Sequence, residues 1–169
     1  MEFQKPKIVI SKCLEFDACR YDGQLITNKY IKALKKIIEF IPVCPEVEIG
    51  MGIPRDPIKI INKNDSIALY QESTGKDFSK KMNNFSKQFI NSINNVDGFI
   101  LKAASPSCAI STSKIYIDEK NKIPIGKGPG LFTSKIIEQF PNHPKEEEKR
   151  LNNVFLREHF FTSIFTIAD

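Results

Sequence analysis

Four cysteines are the residues of this chain best suited to chemistry. Cys13, Cys44 and Cys108 are separated by 31 and 64 residues, Cys19 lies close to the first of them, and no two form a C-x-x-C pair. In a reducing compartment, cysteines scattered in this way are more often free thiols or metal ligands than disulfides. Both histidines fall within the last 27 residues. The first 142 residues therefore have no imidazole for a Cys–His dyad or a histidine-bound metal.

Three of the cysteines follow apolar runs that are typical of buried strands: residues 7–11, 40–43 and 98–102. Amphipathic helices are predicted at three places in the chain: residues 28–39, 76–94 and 131–140. Because strand and helix alternate, we predict an α/β fold with a mostly parallel sheet flanked by helices in Rossmann-like layers. A turn-rich quartet between residues 57–61 and 66–70 adds a peripheral β-hairpin.

The predicted strand ends place three cysteines at one edge of the sheet. In parallel sheets ligands bind beyond the carboxyl ends of the strands, and Cys13, Cys44 and Cys108 each lie just past such an end. One buried free cysteine is usually a small apolar filler. Three cysteines at equivalent positions instead favour a shared site.

Thiols at that edge allow two kinds of metal site. A closed zinc site needs four ligands, and Cys19 is only six residues from Cys13, so it could be the fourth. Three thiolates also suit a 4Fe–4S cluster with one open iron, which is a Lewis acid for a soft atom such as sulfur. The residues alone leave both alternatives open.

Polar residues beside the cysteines favour a catalytic site. Glu46 follows Cys44 by two residues, and it is the best candidate for proton transfer because a carboxyl in a partly dry pocket can hold a proton near neutral pH. Ser105 and Ser107 come just before Cys108. Both hydroxyls are candidates for the same site.

Charged residues in two loops are predicted near the same edge. Arg20 and Asp22 belong to the sequence RYDG, and Arg55 follows a proline. Either arginine could orient a ligand carbonyl or phosphate through two hydrogen bonds, or could form an ion pair that fixes its loop. The glycine-rich run 126–130 is a further candidate, as an anion cradle before a helix.

Composition predicts an ordinary globular protein. The 169 residues are 41% hydrophobic and 27% charged, which is enough for one core without disulfides. No apolar run approaches the roughly 18 residues of a membrane span and the start lacks a signal-peptide pattern, so we expect a cytoplasmic protein without membrane contact. The net charge of +5 favours polyanionic partners, and a non-catalytic RNA-binding module is one alternative function.

The residues after position 142 differ in character from the rest. A charged run at 145–150 begins a predicted helix whose apolar residues follow a 3.6-residue period. We therefore expect an α/β domain at 1–142 and a helical tail at 143–169. The tail either packs on the domain or leads into a second unit that this chain lacks.

Six short motifs occur in order along residues 6–140: ISKCL at 10–14, RYDG at 20–23, PVCPEV at 42–47, GMGIPR at 50–55, LK at 101–102 and SPSC at 105–108. Together they resemble the TudS-type thiouracil desulfidase family. The resemblance implies that Cys13, Cys44 and Cys108 hold a 4Fe–4S cluster and that its remaining iron takes the sulfur of the substrate. It also implies a proton-transfer role for Glu46, and a role for Ser105 or Ser107 in positioning the thiobase or water.

The tail extends this resemblance. Residues 144–165 are similar to the junction into a second domain in RudS-type desulfidases, which act on 4-thiouridine in tRNA. The implied substrate is thiolated uracil, either free or within tRNA, with the sulfur released as hydrosulfide. Two departures, Glu15-Phe16 in place of Leu-Gly and Ala109 in place of Gly, lie near the implied ligands and bear on pocket shape. A structural zinc–thiolate protein is the remaining alternative.

Overall fold

The computed structural model describes residues 4–169. Its elements in chain order are β1 Lys7–Ser11, α1 Lys29–Leu34, β2 Glu39–Val43, α2 Pro45–Glu48, β3 Lys59–Lys63, β4 Ser66–Gln71, β5 Lys76–Asp77, α3 Ser79–Ser92, β6 Gly98–Leu101, β7 Ser113–Tyr116, β8 Gly126–Gly128, α4 Leu131–Gln139, β9 Lys145–Glu147, a 3-10 helix Glu148–Asn152, and α5 Val154–Ala168. Within this range, none of the helices has the length and hydrophobicity that crossing a bilayer requires.

A four-stranded parallel sheet forms the centre of the fold, in the order β2-β1-β6-β9. The three predicted strands are its first three members, so the α/β prediction is confirmed. Sequence order reverses between β1 and β6, since β2 lies on one side of β1 and the later strands lie on the other. Such a reversal opens a crevice at the carboxyl ends of the strands.

Residues of the central strands alternate between two buried layers, as the two-residue period of a strand requires. Val9 and Phe99 belong to the layer that includes residues of α3 and α4. Ile8, Ile10 and Ile100 belong to the opposite layer, which includes residues of α1 and α5. Helix α1 begins at Lys29, with the side chain of Asn28 as its N-cap, and ends at Leu34, five residues before the predicted end. Helices therefore cover both faces of the sheet.

The C-terminal segment joins this domain through a strand. The residues predicted to begin a helix at 145 instead form β9, in which Glu147 pairs with Leu101 of β6. Farther along, Phe160 and Ile164 of α5 are buried in the second layer. The predicted helix start is wrong because pairing with β6, which the local sequence cannot show, determines the conformation. The boundary drawn after residue 142 does not mark a break in the packing, and a second unit beyond the tail stays a prediction.

The predicted hairpin belongs to a larger second sheet. Strands β3 and β4 pair as predicted across a turn at Asn64 and Asp65, whose φ angles of 53° and 61° suit a two-residue hairpin turn. Three more strands extend the pair into the order β5-β4-β3-β7-β8. Since Ile60 and Leu69 are fully buried, the hairpin is part of the core and not a peripheral pair.

The glycine-rich segment predicted as an anion cradle packs against the loop that carries Cys108. Residues 126–128 form β8, and the amides of Gly130 and Leu131 donate to the carbonyls of Ala109 and Pro106 at 2.8 and 2.9 Å. These amides are therefore not available to an anion, and the cradle prediction is wrong. A β-carbon on Gly130 would lie 2.3 Å from a backbone atom of Ser107, so only glycine permits this contact.

We predict that Gly130→Ala destabilises the protein, because the added methyl group must displace the backbone that leads to Cys108. Overpacking of this kind costs about 1–3 kcal/mol of unfolding free energy, measured by urea denaturation. Gly126→Ala is the matched control, since a β-carbon there meets no atom within 4 Å. Equal stability of the two variants would contradict this packing account.

Candidate functional site

A cavity of about 350 Å³ opens at the carboxyl ends of the central strands. The structure brings Cys13, Cys44 and Cys108 together in its wall, although they come from three separate segments of the chain. Nearly all of the other predicted site residues also line it: Arg20, Glu46, Arg55, Ser105 and Ser107. The parallel sheet thus assembles one site from loops that are far apart in sequence.

The thiols in this cavity interact electrostatically. Burial raises the pKa of Cys13 to about 12, and the nearby Cys44 adds to that shift. Burial also raises the pKa of Cys108, with Cys13 and Cys44 as further contributors. A hydrogen bond with Cys19 instead lowers the pKa of Cys44 to about 7, and the same bond raises the pKa of Cys19. Cys44 is therefore the thiol that ionises first.

The donor set fits a cluster. Among residues 4–169, no group of three or more His, Cys, Asp or Glu side chains is arranged to hold a single metal ion. A 4Fe–4S cluster makes a different demand, because each thiolate binds its own iron and the sulfur atoms need not converge on one point. Cys13, Cys44 and Cys108 around one cavity meet that demand. Cys19 is also in the wall, and its thiol is hydrogen-bonded to Cys44.

A buried ion pair holds the candidate proton-transfer group. One carboxylate oxygen of Glu46 accepts from Nε of Arg55 at 2.7 Å, and the other accepts from the hydroxyl of Ser107 at 2.8 Å. Nη1 of Arg55 donates to the carbonyls of Cys19 and Gly52 at 3.0 and 2.9 Å. Arg55 thus adopts the loop-fixing ion pair, which was one of the two roles that its sequence allowed.

The hydroxyl of Ser105 fixes the turn before Cys108. Its oxygen accepts from the amides of Ser107 and Cys108 at 3.2 and 3.0 Å, which is a common local bond of serine in turns. Thr133 secures the other side of the turn by donating to the carbonyl of Cys108 at 2.7 Å. The two serines therefore differ, since Ser107 contacts Glu46 and Ser105 holds the backbone.

Arg20 and Asp22 lie at different places relative to the cavity. Arg20 lines the cavity and is partly exposed, so it can reach a ligand. Asp22 is not among the lining residues. Its carboxylate accepts from the amide of Gln24 at 3.1 Å and pairs with Arg20 at 3.5 Å. Asp22 therefore orients Arg20 and its loop.

Two acidic residues behind the cavity were not predicted from the sequence. Glu148 is 4% exposed and forms a 2.8 Å ion pair with Lys102, which lines the cavity. Its neighbour Glu147 is 2% exposed. Acidic residues are also typical of the first turn of a helix, so nothing in the local sequence indicates that these side chains are buried.

We predict that Cys44 is the first cysteine alkylated by iodoacetamide in metal-free protein. It is the most exposed of the four, and the thiolate is the reactive form. Its reaction should slow as the pH falls through about 7, because the thiolate is then protonated. Mass spectrometry of peptides at each pH measures this order. Faster alkylation of Cys13 or Cys108 would contradict the arrangement of the thiols.

Comparisons with known proteins place the chain in a family. The chain is 28% identical over 118 residues to the uncharacterized protein YbbK of Bacillus subtilis (strain 168), covering 60% of this chain and 72% of that protein. A solved structure of the [4Fe-4S]-dependent thiouracil desulfidase TudS matches with a TM-score of 0.67 and 25% identity, covering 92% of this chain and 99% of the other. The family model for 2-thiouracil desulfurase matches residues 8–148, and this chain therefore belongs to the 2-thiouracil desulfurase family.

Proposed function

We propose that this protein is a 4Fe–4S-dependent desulfidase that removes sulfur from thiolated uracil. Cys13, Cys44 and Cys108 hold the cluster in this proposal. The observation that carries it is the convergence of these three thiols in one cavity that also contains the linked side chains of Glu46 and Ser107. Membership in the family and the likeness to TudS support the same reaction.

The reaction exchanges one atom of the pyrimidine. A thiocarbonyl and water give a carbonyl, hydrosulfide and a proton. When bound, the cluster would supply an open iron that acts as a Lewis acid for the soft thiocarbonyl sulfur. The side chains of the chain must then place a water at the pyrimidine carbon and accept its protons.

Glu46 and Ser107 are arranged for that proton transfer. Because Ser107 donates its own hydrogen to Glu46, its hydroxyl oxygen remains able to accept from a water in the cavity. A proton from the water can pass through Ser107 to the carboxylate. Arg55 holds the other carboxylate oxygen, so the oxygen that faces Ser107 is the one that takes the proton. In this proposal Glu46 is the general base and Ser107 is the proton relay.

Basic side chains near the cavity support a substrate that carries phosphate, such as 4-thiouridine in tRNA. A neighbouring groove shares Arg20, Lys102 and Lys149 with the cavity wall and adds Lys29. Lys29 and Lys149 are exposed, and Lys102 is neutralised by Glu148. A free thiobase needs only the cavity, so we include both substrate forms in the test.

We predict that anaerobic reconstitution with iron and sulfide gives a brown protein that consumes 2-thiouracil or tRNA 4-thiouridine and releases sulfide. Cys13→Ser, Cys44→Ser and Cys108→Ser should each lower bound iron and turnover by at least about tenfold, since losing a ligand costs at least as much as losing its supporting contacts. Cys19→Ser is the matched control and should keep the iron. Metal analysis measures the bound iron, and loss of the thiocarbonyl absorbance of each substrate measures the turnover.

Three results would overturn the proposal. A colourless protein that releases no sulfide from either substrate is the first. The second is stoichiometric zinc bound by all four cysteines, which would support the structural zinc alternative. Tight RNA binding that survives loss of all three cysteines, without turnover, would instead favour the RNA-binding module.

We predict that Glu46→Gln lowers turnover by roughly 10²–10⁴-fold, because general acid–base groups contribute rate factors of that size. Ser107→Ala should also lower turnover, while both variants keep their iron. Glu48→Gln is the control, since Glu48 is an exposed carboxylate on the same short helix α2. Turnover of Glu46→Gln equal to that of Glu48→Gln would remove Glu46 from the mechanism.

A further inference from the structure

The loop at residues 102–112 carries Cys108 from β6 to β7, and two adjacent glutamates hold its ends. At the start of the loop, one carboxylate oxygen of Glu148 accepts from the amide of Ala103 at 2.6 Å. The other forms the 2.8 Å ion pair with Lys102. Both glutamates come from the C-terminal segment, where β9 ends and the 3-10 helix begins.

Glu147 holds the end of the same loop. Its Oε1 accepts from the amides of Ile110 and Ser111 at 2.8 and 3.0 Å. The hydroxyl of Thr112 donates to the same carboxylate, with contacts of 2.9 and 2.8 Å to its two oxygens. Thr112 in turn accepts from the amide of Ala104 at 2.8 Å, which joins the two ends of the loop. Glu147 thus completes a closed network around the turn of Cys108.

The loop needs these restraints because its backbone is not locally favoured. Ala104 has a φ of 61°, in the left-handed region that a β-carbon disfavours. Glu147 and Glu148 are 2% and 4% exposed, and burying a carboxylate is costly unless several donors satisfy it. The amides of the loop are those donors. The glutamates and the loop therefore stabilise each other's conformation.

We propose that Glu147 and Glu148 are positioning residues for the cluster ligand Cys108. Their carboxylates hold the loop in the binding conformation before the cluster arrives, so that binding does not have to order the loop. This inference rests on the proposed function for the ligand role of Cys108. It makes strand β9, which lies outside the domain predicted at 1–142, part of the apparatus that builds the site.

The test compares Glu147→Ala with Glu147→Gln and with the control Glu146→Ala. Glutamine keeps an oxygen for the two amides, so it should rescue the alanine variant. Glu146 is the adjacent carboxylate, but its ion pair is with the exposed Arg150 and not with the loop at residues 102–112. Two readouts are used: hydrogen exchange of residues 103–112 in metal-free protein, and iron bound after anaerobic reconstitution.

In Glu147→Ala, the hydrogen-exchange rate of the Ile110 and Ser111 amides should be roughly tenfold higher than in wild type, because these amides lose their acceptor. Cys108 should become open to alkylation, and bound iron should fall several-fold. Glu147→Gln and Glu146→Ala should keep exchange and iron near wild type. If Glu147→Ala does not fold, Thr112→Val tests the same contact with a smaller change, and the same direction is expected.

Several outcomes would overturn the inference. Unchanged iron in Glu147→Ala would show that the loop needs no support from the glutamate. Faster exchange spread evenly over the whole chain would indicate a general loss of stability in place of positioning. If wild-type protein binds no cluster, the proposed function fails, and exchange and alkylation of the metal-free loop still decide whether Glu147 positions Cys108.

Discussion

The parallel pairing of β1 with β2 and with β6 is the constraint on which the rest of this structure depends. Ser11 at the end of β1 lies opposite Val43 at the end of β2, so Cys13 and Cys44 leave the sheet side by side. The pairing of β1 with β6 brings the loop of Cys108 to the same edge. Residues separated by 31 and 64 positions thereby share one cavity. A slip of one residue in either pairing would turn the strand's side chains to the opposite face.

Polar contacts convert this edge into a site with defined geometry. Arg55 holds Glu46 from one side and Ser107 contacts it from the other. Behind the cavity, Glu147 and Glu148 connect the loop at residues 102–112 to the C-terminal segment through hydrogen bonds. Within the part of the chain that the structure describes, no buried side-chain nitrogen or oxygen lacks a hydrogen-bond partner. Such complete satisfaction favours a single arrangement of the buried groups, because each unpaired polar atom would be costly.

Much of the central fold could be predicted because its signals are local. Apolar runs precede three of the cysteines and coincide with β1, β2 and β6, and the helical period at residues 28–39 coincides with α1. Strands β5 and β8 are two and three residues long, which is too short for a pattern to develop. The charged residues of β9 are typical of the start of a helix, and they form a strand because they pair with β6. The same limit applies to contacts in the site, since Ser107 is 61 residues from Glu46 and Thr112 is 35 residues from Glu147.

The central claim is that three cysteines from three strand ends hold one iron–sulfur cluster. A crystal structure of anaerobically reconstituted protein, with anomalous data collected at the iron edge, tests it most directly. The account predicts an anomalous peak for four irons in the cavity, with protein ligands from Cys13, Cys44 and Cys108 and with Cys19 unbound. A ligand set that includes Cys19, or a single metal ion held by all four thiols, would contradict it.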